Sequence, residues 1–279
     1  GLPDEASAIK HALRQPLGTR PLHQLVSKDQ TVAISVCDIT RPMPSHTLLP
    51  VLLGELAHVP DDHIVIAVAT GTHRACTRSE LVEMLSEPIV DRYHVVNHDA
   101  FNEGNLVDLG QVDADIPVWL NRHWARADVR MTTGFVEPHF FAGFSGGPKL
   151  VAPGLAGFQT TMRLHDAEMI RHPNARWGIT EGNPIHDAIR RIATHVGVHF
   201  SVDVAINKDR QITSVAAGNL FDVHRTMTKQ VEQTAMQAFT SPFDVVVTTN
   251  SGYPLDQNLY QSIKGMSAAA QVVKRGGTI

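Results

Sequence analysis

The chain has 279 residues, 43% of them hydrophobic and 19% charged, with a formal net charge of -4 at pH 7. That balance fits one large or two modest folded domains, and it excludes the basic footprint that nucleic acid or an anionic lipid surface would need. The two cysteines, Cys37 and Cys76, form no CxxC and are too few for a disulfide framework or a structural zinc site, so a reducing, cytoplasmic setting is expected.

No apolar run reaches the roughly 20 residues that span a bilayer, so no membrane partner is expected. Strand and helix patterns then alternate along the chain. Thr31 to Val36 is β-branched and ends at Cys37-Asp38. Ser45 is placed to cap a helix whose stripe is Leu48, Leu49, Leu52, Leu53 and Leu56. His63 to Ala69 is a second apolar strand, ending at Thr70-Gly71-Thr72-His73. Thr77, with Glu80 three residues on, spells a capping box. Tyr93 to Asn97 and Val129 to Thr133 are further strands. Asn183-Pro184 opens a helix, Val198 to Val215 is a β segment turning at Asn207-Lys208-Asp209, and Leu220 to Ala238 is a long helix. Asp244 to Thr249 is a new strand beyond Ser241-Pro242. Arg275-Gly276-Gly277-Thr278-Ile279 reads as a helix C-cap entering a strand.

The fold class expected is therefore α/β. Residues 1-240 form an N-terminal domain with a mostly parallel sheet and flanking helices, and 241-279 begin a second α/β domain. A chain that opens at Gly1 and closes on a strand is expected to be truncated. Ligands in such sheets sit beyond the carboxyl ends of strands, so Asp38 to Arg41, Gly71 to Arg74 and Gly134 to Lys149 are candidates to meet in one crevice.

The densest chemical signal is Glu137-Pro138-His139-Phe140-Phe141-Ala142-Gly143-Phe144-Ser145-Gly146-Gly147-Pro148-Lys149. Its glycines and lysine suit either an anion cradle or a structural turn. The Walker A spacing is absent, and Ser145 does not sit in the GxSxG of a hydrolase nucleophile. Sixteen histidines are many for this length. Those at 94, 98, 172, 186, 195 and 199 sit in no motif and read as structural.

Four segments together carry a resemblance. His139-x9-Lys149, Asp38-Ile39-Thr40-Arg41-Pro42, Gly71-Thr72-His73-Arg74 and Pro254-Leu255-Asp256-Gln257-Asn258-Leu259-Tyr260-Gln261-Ser262-Ile263-Lys264-Gly265 resemble, in order, the signatures of the lactate racemase family. The resemblance implies an isomerase that inverts C2 of a small 2-hydroxy carboxylate by hydride transfer to a nickel-pincer cofactor. That cofactor is a pyridinium mononucleotide with two sulfur-containing arms (thioamide and thiocarboxylate), covalently attached to a lysine and holding nickel through two sulfurs and a ring carbon. By resemblance Lys149 is the tether and His165, sixteen residues on, the protein ligand of nickel. His73 and His139 match the pair that alternates as acid and base; Arg41, Tyr260, Gln261 and Lys264 match substrate-binding positions.

Asp38 is expected to orient Arg41 or a neighbouring ring. Ser145, Gly146 and Gly147 are expected to cradle the cofactor phosphate. Pro148 stands where the family often has an arginine. The implied partners are the 2-hydroxy acid (lactate, malate or a sugar acid) and the cofactor-biosynthesis proteins, without which the protein would be made apo. The alternatives are a noncatalytic nickel-cofactor or organic-acid binding homologue and a metal-free phosphate- or nucleotide-handling enzyme.

Overall fold

Six consecutive residues buried on both faces can only be a central strand, and Val32–Cys37 (β1) is that strand. The computed structural model describes residues 1-279 except Ala114, Ser251, Pro254, Leu255, Gln257 and Asn258 and the side chain of Tyr260. Two helices, Glu5–Arg14 (α1) and Leu22–Leu25 (α2), precede β1. After it come Ser45–Glu55 (α3), Ile64–Ala69 (β2), Arg78–Leu85 (α4), Glu87–Arg92 (α5) and His94–Asn97 (β3). The chain then makes an antiparallel hairpin of Leu106–Val112 (β4) and Ile116–Asn121 (β5), a short helix Arg122–Ala125 (α6), and Val129–Phe135 (β6).

A two-rung hairpin, Pro138–His139 (β7) and Gly143–Phe144 (β8), leads to the helices Phe158–Leu164 (α7), Ala167–Arg171 (α8) and Pro184–Val196 (α9). Strands Phe200–Ile206 (β9) and Ile212–Gly218 (β10) and helix Leu220–Ala235 (α10) follow. The last elements are Phe243–Val245 (β11), Leu259–Ala270 (α11) and Val273–Thr278 (β12), with β11 and β12 paired in their own parallel two-stranded sheet.

The main sheet has the order β10-β9-β6-β1-β2-β3, and every pairing is parallel except β10 with β9. The chain runs outward from β1 through β2 to β3, then returns to the other side of β1 with β6. The carboxyl ends of β1 and β6 therefore flank a topological switch, where the connections leave in opposite directions and a crevice opens. One apolar cluster packs α1 and α3 on one face of the sheet; a second packs α6, α9 and residues 151 to 156 on the other. Each large side chain so buried contributes about 1.5–3 kcal/mol. The sheet is the rigid base of the crevice.

Local chemistry explains the boundaries. Thr77 and Glu80 make the reciprocal capping box at α4, and Asn183 caps α9 by accepting from Ile185 and His186 N–H. Ser45, by contrast, is the first residue of α3 rather than its cap: Pro44 stands at the cap position and no side chain bonds there. The strand expected over Asp244 to Thr249 is confined to Phe243–Val245; beyond it Val246 N–H still bonds Thr278 O at 2.9 Å, at the last residue of β12. At the chain end, Arg275-Gly276-Gly277 lies inside β12 rather than capping a helix, since α11 already stops at Ala270. The β4–β5 hairpin has no strong counterpart in the sequence pattern. Gly110 and Asp113 adopt positive φ, and the polar Asp108 and Gln111 dilute the alternation.

Candidate active site

Three walls enclose a cavity of about 820 Å³ at the switch between β1 and β6. The first is the strand-end wall. Asp38, directly after β1, is 5% exposed, and its Oδ1 accepts from Thr40 Oγ1 at 2.5 Å and Thr40 N at 3.2 Å. Its Oδ2 lies 2.7 Å from His73 Nδ1. Burial pushes the Asp38 carboxyl up, but the His73 and Thr40 bonds and the Arg41 charge outweigh it and hold it below its ordinary value. Asp38 thus orients the imidazole of His73, whereas Arg41 turns to the Thr40 carbonyl and hydroxyl and lies 3.9 Å from Glu137. His73 is held by a turn in which its N–H bonds Thr70 O and Gly71 takes φ +58, a conformation that favours glycine.

The second wall is the loop after β6. His139 is 6% exposed, and its Nδ1 accepts from the N–H groups of Phe141 at 3.4 Å and Ala142 at 3.2 Å. Asn183 fixes the same loop by donating to Phe141 O and Ile179 O, both at 2.8 Å. Burial, and then Lys149, Lys264, Arg41 and His165, push His139 well below its ordinary value. Lys149 is likewise held well below the usual lysine range, first by burial and then by Arg41 and Lys264, with Glu137 opposing. Its amine is therefore biased toward the neutral, nucleophilic form. His165, at the end of α7, bonds Thr161 O through Nδ1 at 2.8 Å; burial keeps its ring below its ordinary value.

The third wall is α11. Gln261 is 2% exposed and places its amide nitrogen 3.3 Å from His73 Nε2. Lys264 is pushed down to about 8, by burial first and then by Arg41. Tyr260 lies in this helix, but its side chain lies outside the described residues, as do Pro254, Leu255, Gln257 and Asn258 of the same segment. Asp38, Arg41, His73, His139, Ser145, Gly146, Lys149, His165, Gln261 and Lys264 all line the one cavity.

Of the three residues expected to cradle a phosphate, Gly146 lines the cavity, while Ser145 and Gly147 make hydrogen bonds within the protein. Ser145 Oγ donates to Phe135 O and accepts from Glu137 N, and Ser145 N–H bonds Glu137 O. Gly147 N–H donates to Asp203 Oδ1 at 3.1 Å. Ser145 and Gly147 therefore spend their donors inside the protein and shape the wall instead of offering N–H groups to a phosphate. Pro148 is buried in the turn that carries Lys149.

Behind this loop stand residues that sequence reasoning passed over. Asp203, on β9, is fully buried and pushed up to about 7 by desolvation, against the Gly147 bond. His224, on α10, donates from Nε2 to Ser145 O at 2.9 Å and stacks on His186, their centroids 5.4 Å apart. Burial pushes His224 down to about 4 and His186 to about 3. A side chain at Gly147 would strike the His224 ring, and one at Gly134 would strike Asp203. A lone acid inside Val202-Asp203-Val204-Ala205 was the available signal, since unpaired carboxylates are almost never fully buried.

The mostly parallel α/β sheet, with helices on both faces and a cation-rich, histidine-lined cavity at its switch point, is of the doubly wound class. Residues 1-178 match the lactate racemase N-terminal domain and residues 238-279 the lactate racemase C-terminal domain. The chain belongs to the lactate racemase family. It is 38% identical over 277 residues to a lactate racemase of Lactiplantibacillus plantarum and 37% identical over 276 residues to that of Thermoanaerobacterium thermosaccharolyticum. These alignments cover 99% of the chain and 65% of each relative, so the chain spans about two-thirds of their length. The solved lactate racemase apoprotein from T. thermosaccharolyticum superposes with a TM-score of 0.91 at 36% identity, over 98% of this chain and 66% of that one. A Thermotoga maritima protein shares the fold, with a TM-score of 0.74 at 22% identity over 88% of this chain and 64% of that one.

Proposed function

We propose that the protein is a racemase or epimerase that inverts C2 of a small 2-hydroxy carboxylate. The observation that carries this reading is that Lys149 and His165 line the same cavity as His73 and His139. A tether, a metal ligand and two imidazoles at one cavity are what such an inversion needs. The Cα–H of a 2-hydroxy carboxylate is too weakly acidic for ordinary proton abstraction, because the adjacent carboxylate resists a second negative charge.

The residues fit a nickel-pincer group. Among the described residues no three His, Cys, Asp or Glu side chains gather to hold a bare metal ion, so nickel at His165 needs the organic group for its other ligands. His165 gives its Nδ1 proton to Thr161 O, which leaves Nε2 with the lone pair a metal requires. Lys149, biased toward the neutral amine, suits a covalent attachment. When bound, the group supplies a two-electron acceptor that takes hydride from C2 and can return it to either face.

The chain's own residues do the rest. Arg41 and Lys264 supply cations for the carboxylate, with Gln261 as a further substrate contact on α11; Tyr260 is assigned to the substrate by the family resemblance alone. His73 takes the hydroxyl proton at Nε2, and Asp38 stabilises the imidazolium so formed. His139 faces the same space from the loop wall and takes that role for the opposite enantiomer, so the two histidines alternate as acid and base. Residues 241-279 are read as the start of a second α/β domain that closes over the first and excludes water. No helix of the described residues is long and apolar enough to cross a membrane, and Cys37 and Cys76 are free and buried, which accords with a reducing cytoplasm.

The test is to coexpress the protein with the cofactor-making proteins and incubate it with single enantiomers of lactate, malate and sugar acids. Chiral chromatography is expected to show one acid losing optical purity, and Lys149→Ala to abolish the loss. Nickel-loaded protein that leaves every such acid optically pure would refute the reading.

A further inference from the structure

Helix α11 brings two polar groups, Gln261 and Lys264, to the cavity, yet it has little apolar anchorage there. Leu259, Ile263 and Met266 are spaced as an apolar stripe, and all three are exposed. A helix whose stripe is not buried gains little from packing, so its seat depends on discrete polar contacts. Gln261, Lys264 and Ser267 follow one another at three-residue spacing and share one side of the helix. Gln261 meets His73 at one end of that side, with its amide nitrogen 3.3 Å from Nε2. At the other end, Trp177 Nε1–H donates to Ser267 Oγ at 3.1 Å.

Trp177 is itself held by the loop wall. Gly178 N–H bonds Gly143 O at 3.0 Å, and a side chain at Gly143 would strike Ile179 O. Asn183 ties Ile179 O to Phe141 O, and the Phe140 ring stands 6.2 Å from the indole. The indole therefore joins the wall that carries Lys149 to α11, one helical turn beyond Lys264. A contact at the opposite edge is weaker support. Arg74 Nη2 lies 3.2 Å from Tyr253 Oη, but that nitrogen already donates to Glu80 at 2.6 Å, and the tyrosine is exposed.

We propose that Trp177 is a positioning residue for the substrate subsite: its bond to Ser267 seats α11 so that Lys264 and Gln261 reach the cavity. The seating stands on geometry; its consequence for the substrate rests on the racemase reading above. In its seat the Lys264 amine is buried and faces Arg41, with Glu137 and Asp38 opposing, and is pushed down to about 8. A helix that leaves its seat returns this amine to water and to the ordinary lysine range. Lys264 therefore reports the seating without cofactor or turnover.

The experiment compares W177F, which keeps an aromatic ring and deletes the donor, with S267A, S267T and the double variant W177F/S267A. In apoprotein, competitive amine labelling across pH, read by peptide mass mapping, gives the titration midpoint of Lys264. W177F and S267A are each expected to raise it by about 0.5–1 pH unit, the most that a 3–10-fold loss of seating allows, and S267T to match the parent. The double variant should go no further than either single one, because both remove the same bond. Midpoints that stay at the parent value, or shifts that add in the double variant, overturn the proposal. In loaded protein each single variant is expected to raise KM by about 3–10-fold and leave kcat within about twofold, since the bound carboxylate draws the helix back to its seat. A loss of kcat at unchanged KM overturns the role in substrate binding. The labelling needs no turnover, so failure of the racemase reading and failure of the seating are seen separately.

Discussion

The two walls that carry His73 and His139 orient the same side chain by opposite means. At the strand ends, a buried carboxylate already committed to Thr40 fixes His73 through Nδ1, and the ring stays partly open to solvent. On the loop wall, two backbone amides fix His139 in a buried position among cations. A carboxylate accepts the Nδ1 proton of one ring, whereas two backbone N–H groups donate to Nδ1 of the other. The two rings are thus held by different kinds of partner.

Removing the charged partner is the largest way to break this contrast. Asp38→Asn is expected to lower kcat of the loaded protein by about 10³–10⁴-fold while the fold, followed by circular dichroism, persists, since the wrong tautomer of His73 is then favoured. Activity within about tenfold of the parent would mean that the strand-end wall does not depend on the carboxylate.

A smaller effect sharpens the other wall, whose loop is held from behind by Asp203 and His224. Desolvation lifts the Asp203 carboxyl to about 7, and its Oδ2 has no hydrogen-bond partner among the described residues. An acid raised in this way binds more protons folded than unfolded between its ordinary value near 4 and about 7. Stability therefore falls as pH climbs through that interval and is level above and below it. Asp203→Asn keeps an oxygen for Gly147 N–H and removes the titration. Chemical denaturation is expected to show the variant more stable than the parent at pH 8, by on the order of 2 kcal/mol, the advantage shrinking toward pH 4. An advantage that does not change with pH would show that Asp203 is ionised throughout.

Much of this arrangement was legible in the sequence, for a physical reason. β1 and β2 announce themselves as unbroken apolar runs, as strands buried on both faces tend to be, and β6 by its β-branched Val129, Thr132 and Thr133; the polar residues that follow them stand out. The segments holding Asp38, His73, His139 and Lys149 were found in that way, and the family resemblance supplied the roles of His73, His139 and Lys149. His165, Gln261 and Lys264 follow no strand; the family resemblance pointed to them, and the fold brings them to the same cavity. The role of Ser145 and Gly147 was not legible, since a glycine-serine loop looks the same whether its N–H groups face a ligand or a buried aspartate. Asp203 and His224 were missed because their partners lie 56 and 79 residues away in the chain. The β4–β5 hairpin escaped because Gly110 and its polar neighbours blur the period of two.

The cavity holds two lysines of lowered basicity, Lys149 on the loop wall and Lys264 on α11, and the account requires that only the first bears the cofactor. Peptide mass mapping of nickel-loaded protein tests this most directly. The expected result is an adduct on the Lys149 peptide, lost in Lys149→Ala and retained in Lys264→Ala. An adduct on the Lys264 peptide, or active protein with neither lysine modified, would contradict the account.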